Sequence, residues 1–249
     1  ANGGESWQEI QQGLANEGYH SWMVINDPSD DVQIRTIAFD AIGLSDTSIV
    51  EDLAIDIVYP IVSLVSPAPG TLDWQNKQIE IQFSQKMMPE GFSSDFINFT
   101  SDYSDTVNSI FTYIDSTQSV VIDLSTGFAS RDSVTITLNA AGVANYYGYA
   151  LDGDADGEGG DSYSFGYKIG MVGDYNLDNV LNGSDLAIFV SSWENDSYVN
   201  ELGPYSGNVP NIVIHPDQDF DIEDVMSFVV MGNWYLDNGG LLVSNSSVV

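Results

Sequence analysis

Apolar and polar residues alternate in short bursts along the first two thirds of the chain, and a period of two marks a strand with one buried face. The bursts are Ser21-Trp22-Met23-Val24-Ile25, Val32 to Asp40 and Ile49 to Ile57, separated by the turn signals Asn26-Asp27-Pro28-Ser29 and Ile42-Gly43-Leu44-Ser45. A second group opens with Val65-Ser66-Pro67-Ala68-Pro69-Gly70. It continues through Ile79 to Ser84, Ser119 to Leu124 and Val134 to Leu138, and closes with Tyr163 to Tyr167. About a hundred residues with strands at this spacing predict a seven-stranded sandwich. Beyond residue 180 the period lengthens, and Leu186-Ala187-Ile188-Phe189-Val190 to Trp193 reads as a helix. Met87 and Met88, at a strand end in an apolar run, read as core filler.

Charge changes the picture most. The chain has 37 Asp and Glu against 5 Lys and Arg, a formal net charge of −32. Nucleic acid and anionic membrane both demand positive charge, so neither is expected as a partner. No apolar run approaches the ~20 residues of a membrane span, so no membrane insertion is expected, and no targeting segment is visible. Self-repulsion on this scale calls for high salt or bound divalent cations. With no cysteine there are no disulfides, thiol nucleophiles or zinc–thiolate sites, so any stabilising metal must be held by oxygen.

The acids are clustered. In 174–185, oxygen-bearing side chains stand at loop positions 1, 3, 5, 9 and 12: Asp174, Asn176, Asp178, Asn182 and Asp185. A tight coil at this spacing turns alternate residues toward one Ca2+ ion, with the backbone carbonyl of position 7, Val180, as a further ligand. Position 6 is Asn179 in place of the usual Gly, and position 12 is Asp in place of Glu. A second copy follows thirty-nine residues later, with 218–229 standing against 179–190 and a Trp after each, Trp193 and Trp234. Counting back from Asp224 as position 12 makes Asp221, Asp219 and Asp217 positions 9, 7 and 5. It leaves His215 at position 3 and Val213 at position 1, so the first two ligand positions read as degraded. The second loop then binds weakly, borrows a ligand from elsewhere, or is a structural pseudo-loop. His215 reads as a turn residue, because hard calcium prefers oxygen. A third cluster, Asp152, Asp154, Asp156 and Asp161 with interspersed Gly, reads either as a further metal loop or as a solvated acidic loop.

Three resemblances organise these segments. Asn2 to Trp7, Tyr19 to Trp22 and Arg35 to Gly43 resemble the later half of a bacterial immunoglobulin-like or fibronectin-like module. Such a module normally carries two or three strands before this point, so the expectation is a sheet completed by the same chain or by another. The order Ser-Pro-x-Pro-Gly, Ile-x-Ile-x-Phe-Ser-x-x-Met, Val-Thr-Ile-Thr-Leu, Asp-Gly-Asp resembles the Ig-like modules of surface-layer and adhesin proteins. The paired loops, the first with Asp at position 12 followed by Leu, resemble a dockerin. The connection 195–214 is longer than a dockerin linker, and Gly183-Ser184 is unlike Ile222-Glu223, which weakens the implied recognition of a cohesin-like partner. The expected fold is mainly β: tandem Ig-like β-sandwiches, the first incomplete, over 1–59 and 60–169. A small α dockerin-like calcium-binding domain over 170–236 and a strand-like run or linker over 237–249 complete it.

No phosphate-binding Gly loop, Gly-x-Ser-x-Gly elbow or His-Glu-x-x-His helix is present, and the only histidines are His20 and His215. Catalysis is therefore not expected. Two classes of function remain for an extracellular or cell-surface chain. One is a calcium-stiffened structural segment of a stalk, adhesin or filament, whose partners are its neighbouring domains or copies of itself. The other is docking in trans to a cohesin-like domain, or an accessory region of a secreted hydrolase.

Overall fold

A computed structural model describes residues 6–15, 17–22, 29–55, 57–104 and 107–238. The chain divides into two compact units, 1–58 and 59–249.

In the first unit, β1 (Ser29–Phe39) and β2 (Ser45–Ile55) form an antiparallel hairpin closed by the pair Phe39 and Ser45. Its turn is an Asx type: the Asp40 carboxylate accepts the amides of Ile42 and Leu44, and Gly43 takes a positive φ of 86°. The Arg35 guanidinium lies 4.3 Å from the centre of the Trp7 ring. Ile37, Phe39, Ile49 and Val50 remain exposed, and no described residue of this unit joins the buried core. The expected incomplete sandwich is thus a two-stranded hairpin among the described residues. Ser21 and Trp22 are not in a strand, and the rest of that expected burst lies outside the described residues.

The second unit is built on two four-stranded sheets. One contains β3 (Val62–Ser66), β5 (Gln78–Phe83), β8 (Ser119–Leu124) and β7 (Ser109–Ile114), hydrogen-bonded in that order. The other contains β4 (Gly70–Leu72), β10 (Tyr163–Ile169), β9 (Ser133–Leu138) and β6 (Ile97–Ser101). All pairs are antiparallel except β4 with β10. Alternation decides the faces: Ile79, Ile81 and Phe83 are buried while Glu80 and Gln82 between them are not, and Val134, Ile136 and Leu138 repeat the pattern. Met87 is fully buried in this core, as its sequence setting implies, whereas Met88 is only half-buried.

After β10 the chain forms α1 (Gly183–Glu194), the hairpin β11 (Tyr205–Asn208) and β12 (Asn211–Ile214), and α2 (Ile222–Asp237). Both helices start at a capping box, which Asn182 forms with Asp185 and Asp221 with Asp224. Phe189 of α1 stacks on Phe228 of α2 at 5.4 Å. This region shares one hydrophobic core with the sandwich, and polar contacts tie the two together. The Trp74 indole donates to the Asp174 carbonyl at 3.0 Å, the Ser130 amide to the Ile212 carbonyl at 2.8 Å, and Arg131 covers the Trp234 ring at 4.7 Å.

Candidate metal centres

The loop 174–185 is wound around its own acids. Asp174 is 2% exposed, and its two oxygens accept the amides of Asp178 at 3.2 Å and Asn179 at 2.8 Å. Asn176 Oδ1 accepts Asp178, and Asp178 Oδ1 accepts Val180. Leu177 and Asn179 take positive φ of 58° and 63°; Asn is tolerated there, which is how position 6 dispenses with glycine. Asp185, fully buried, returns from α1 to accept the amides of Tyr175 and Asn176 on one oxygen and of Asn182 on the other. Asn182 caps α1 through Ser184. The spaced side chains are thus brought into one turn closed by the helix N-terminus.

Burial pushes the Asp174 carboxyl above the usual carboxylate range, and nearby Asp185 and Asp178 add to this against the amides of Asn179 and Asp178. Burying anionic oxygens without an opposite charge is costly. Among the described residues the one ion pair is Lys86 with Asp115, away from these loops. A cation of the hard, oxygen-seeking kind fits this donor set.

The acidic run near β10 repeats the same winding. Asp152, 3% exposed, accepts Asp156 and Gly157; Asp154 accepts Asp156; Asp156 accepts Glu158. Ala155 and Gly157 take the positive φ that Leu177 and Asn179 take. One carboxylate oxygen each from Asp152, Asp154 and Asp156 lie within 4.8 Å of one another, an approach that Asp174, Asp178 and Asp185 do not make. Asp161, expected as a fourth member, is outside this group.

The second copy departs from its sequence count. Val213 and His215 are not at positions 1 and 3: Val213 lies in β12, and the His215 ring bonds Ser206 across the hairpin at 2.8 Å. Asp221 caps α2 through Glu223, and Asp224, fully buried, bonds the Asp221 amide as Asp185 bonds Asn182. Asp217 Oδ1 accepts Asp219. The residue whose carboxylate receives the loop amides is Glu201, from the long connection, bonded by Asp217 at 2.6 Å and Gln218 at 2.7 Å. Counting along the chain missed it. The available signal was the triplet Glu201-Leu202-Gly203 before a short alternating run.

Residues 56–166 match the family model of a bacterial Ig-like domain, which covers the sandwich. The N-terminal part of the bacterial S-layer protein SbsC is similar at 13% identity and a TM-score of 0.31, covering 44% of this chain and 23% of that one. The S-layer protein rSbsC(31-844) aligns at 11% identity and 0.31, covering 45% and 14%. The LD transpeptidase LdtMt1 in complex with imipenem aligns at 13% and 0.29, covering 45% and 41%. The chain spans less than half the length of each of these structures. A comparison with curated proteins finds no match.

Proposed function

We propose that this chain is a non-enzymatic, calcium-stabilised structural segment of an extracellular bacterial surface protein. Its Ig-like sandwich serves as a spacer and its paired loop–helix region is a dockerin-like calcium module docked in cis. The observation that supports it best is the loop 174–185, where a nearly buried Asp174 and a fully buried Asp185 are coiled together and, among the described residues, neither is ion-paired with a basic side chain. Ca2+ there would be held by Asp174, Asn176, Asp178, the Val180 carbonyl and Asp185. When bound, the ion supplies charge compensation and cross-links the turn to α1. The partner of the helical region, on this reading, is the sandwich to which Trp74, Gln75 and Ser130 already bond it. Among the described residues no helix is long and apolar enough to cross a membrane.

The test is thermal unfolding with calcium and with chelator, beside calorimetric calcium titration of the wild type and of Asp174→Ala with Asp178→Ala. The reading expects a large loss of stability on chelation and one ion fewer in the double variant. Identical melting in both conditions with no heat of binding would discard it.

A further inference from the structure

The two loop–helix copies can be superposed by their hydrogen bonds instead of their sequence. Asp185 Oδ1 accepts the amides of Tyr175 and Asn176, the two residues after Asp174; Asp224 Oδ1 accepts those of Leu202 and Gly203, the two residues after Glu201, at 2.9 and 2.8 Å. Asp174 takes the amides of Asp178 and Asn179; Glu201 Oε1 takes those of Asp217 and Gln218. Gln218 has the positive φ, 68°, that Asn179 has. Glu201 therefore stands where Asp174 stands, although sixteen positions separate it from Asp217 where four separate Asp174 from Asp178. The surplus is the hairpin of β11 and β12.

The hairpin leaves and re-enters the loop at one point. The His215 amide bonds the Pro204 carbonyl at 2.8 Å, and Gly203, at a positive φ of 61°, lies so close to His215 that a Cβ would sit 2.4 Å from its carbonyl oxygen. Only glycine lets the two edges of the split loop meet.

The second observation is an orphan. Glu201 is 2% exposed, and its Oε2 is buried with no hydrogen-bond donor, the only such side-chain atom among the described residues. A buried carboxylate oxygen without a donor carries its full desolvation cost unless something outside the protein meets it. Its other oxygen is held by the loop amides of Asp217 and Gln218, and the Asp217 side chain adjoins the same carboxyl. Among the described residues no Lys or Arg is ion-paired with it. We infer that Glu201 is the first ligand of a second divalent-cation site whose binding loop is interrupted by a β-hairpin, with Asp217, Asp219, Asp221 and Asp224 completing it. This rests on the proposed calcium reading for the nature of the ion, and not on the first loop being occupied.

The test is calorimetric Ca2+ titration and thermal melting of the full chain, with Glu201→Gln, Asp217→Asn and Asp174→Asn. Glu201→Gln should lose one bound ion per chain, or at least tenfold in its affinity, and part of the calcium-induced rise in Tm. Its Tm in chelator should equal or exceed the wild type, because a buried charge is gone; a purely structural Glu201 would lower it. Asp217→Asn, at an exposed position, should weaken the same ion without a folding defect. An unchanged ion count and affinity in both variants, with one ion lost in Asp174→Asn, would overturn the split site and leave the first loop standing. Loss of an ion in Glu201→Gln but not in Asp174→Asn would support the split site and reject the first. No binding by the wild type would reject both.

Discussion

The two loop–helix copies reach the same arrangement by different routes. In 174–185 every group that winds the coil lies within twelve consecutive residues, so the loop is a local structure. In the second copy the first acid, Glu201, and the rest, 217–224, are brought together by a hairpin that must itself fold and bury Ile212 and Ile214. The capping box and the returning Asp are common to both. What differs is who holds the coil shut. The chain alone does so in the first, and the packing of an inserted element does so in the second, which makes the second hostage to the core.

Several changes would break or sharpen that contrast. Calcium removal should have the largest effect: at a thousandfold excess over Kd each occupied site adds about 4 kcal/mol, so melting in chelator should fall steeply. Ile212→Ala, in β12 and fully buried, should cost about 3 kcal/mol by denaturant unfolding and weaken the second ion far more than the first. Gly203→Ala should cost about 2 kcal/mol, from its positive φ and the clash with His215, again with selective loss at the second loop. Trp74→Phe removes the indole bond to Asp174 and should cost about 1 kcal/mol while leaving the ion count unchanged.

The smallest effect, and a diagnostic one, is the pH dependence. The Asp174 and Glu201 carboxyls are both raised, chiefly by burial, and for Glu201 also by the adjoining Asp217 side chain against the Asp217, Gln218 and Asp219 amides. A raised carboxyl binds protons more tightly folded than unfolded. In chelator its contribution is therefore present at acid pH and lost as pH rises through the raised value. Calcium requires the ionised forms, so stability in its presence should rise with pH over the same range. Melting curves taken as a function of pH, with and without calcium, read both slopes.

The sandwich was largely legible in the sequence because strands such as β5 and β9 bury every second residue, and that period needs no tertiary knowledge. The short strand β4 has too few residues to show a period. The first loop was legible for the same local reason. Glu201 was not, since spacing rules assume a continuous loop and a hairpin of ordinary composition interrupts this one. The hairpin of the first unit was legible as alternation, but exposure of Ile37, Phe39, Ile49 and Val50 follows from what packs on it, which period alone does not reveal.

The parallel pairing of β4 with β10 has a mechanical side. Gly70 faces Tyr167 and Leu72 faces Ile169, so the chain enters this pair at one end and leaves it at the other. Tension applied before Gly70 and after Ile169 would draw the two strands past each other along their length, straining their hydrogen bonds together and not one after another. The exit is fastened again where Gly170 bonds Leu72 and Trp74 bonds Asp174, so a pull on the chain meets this clasp before it can peel an inner strand.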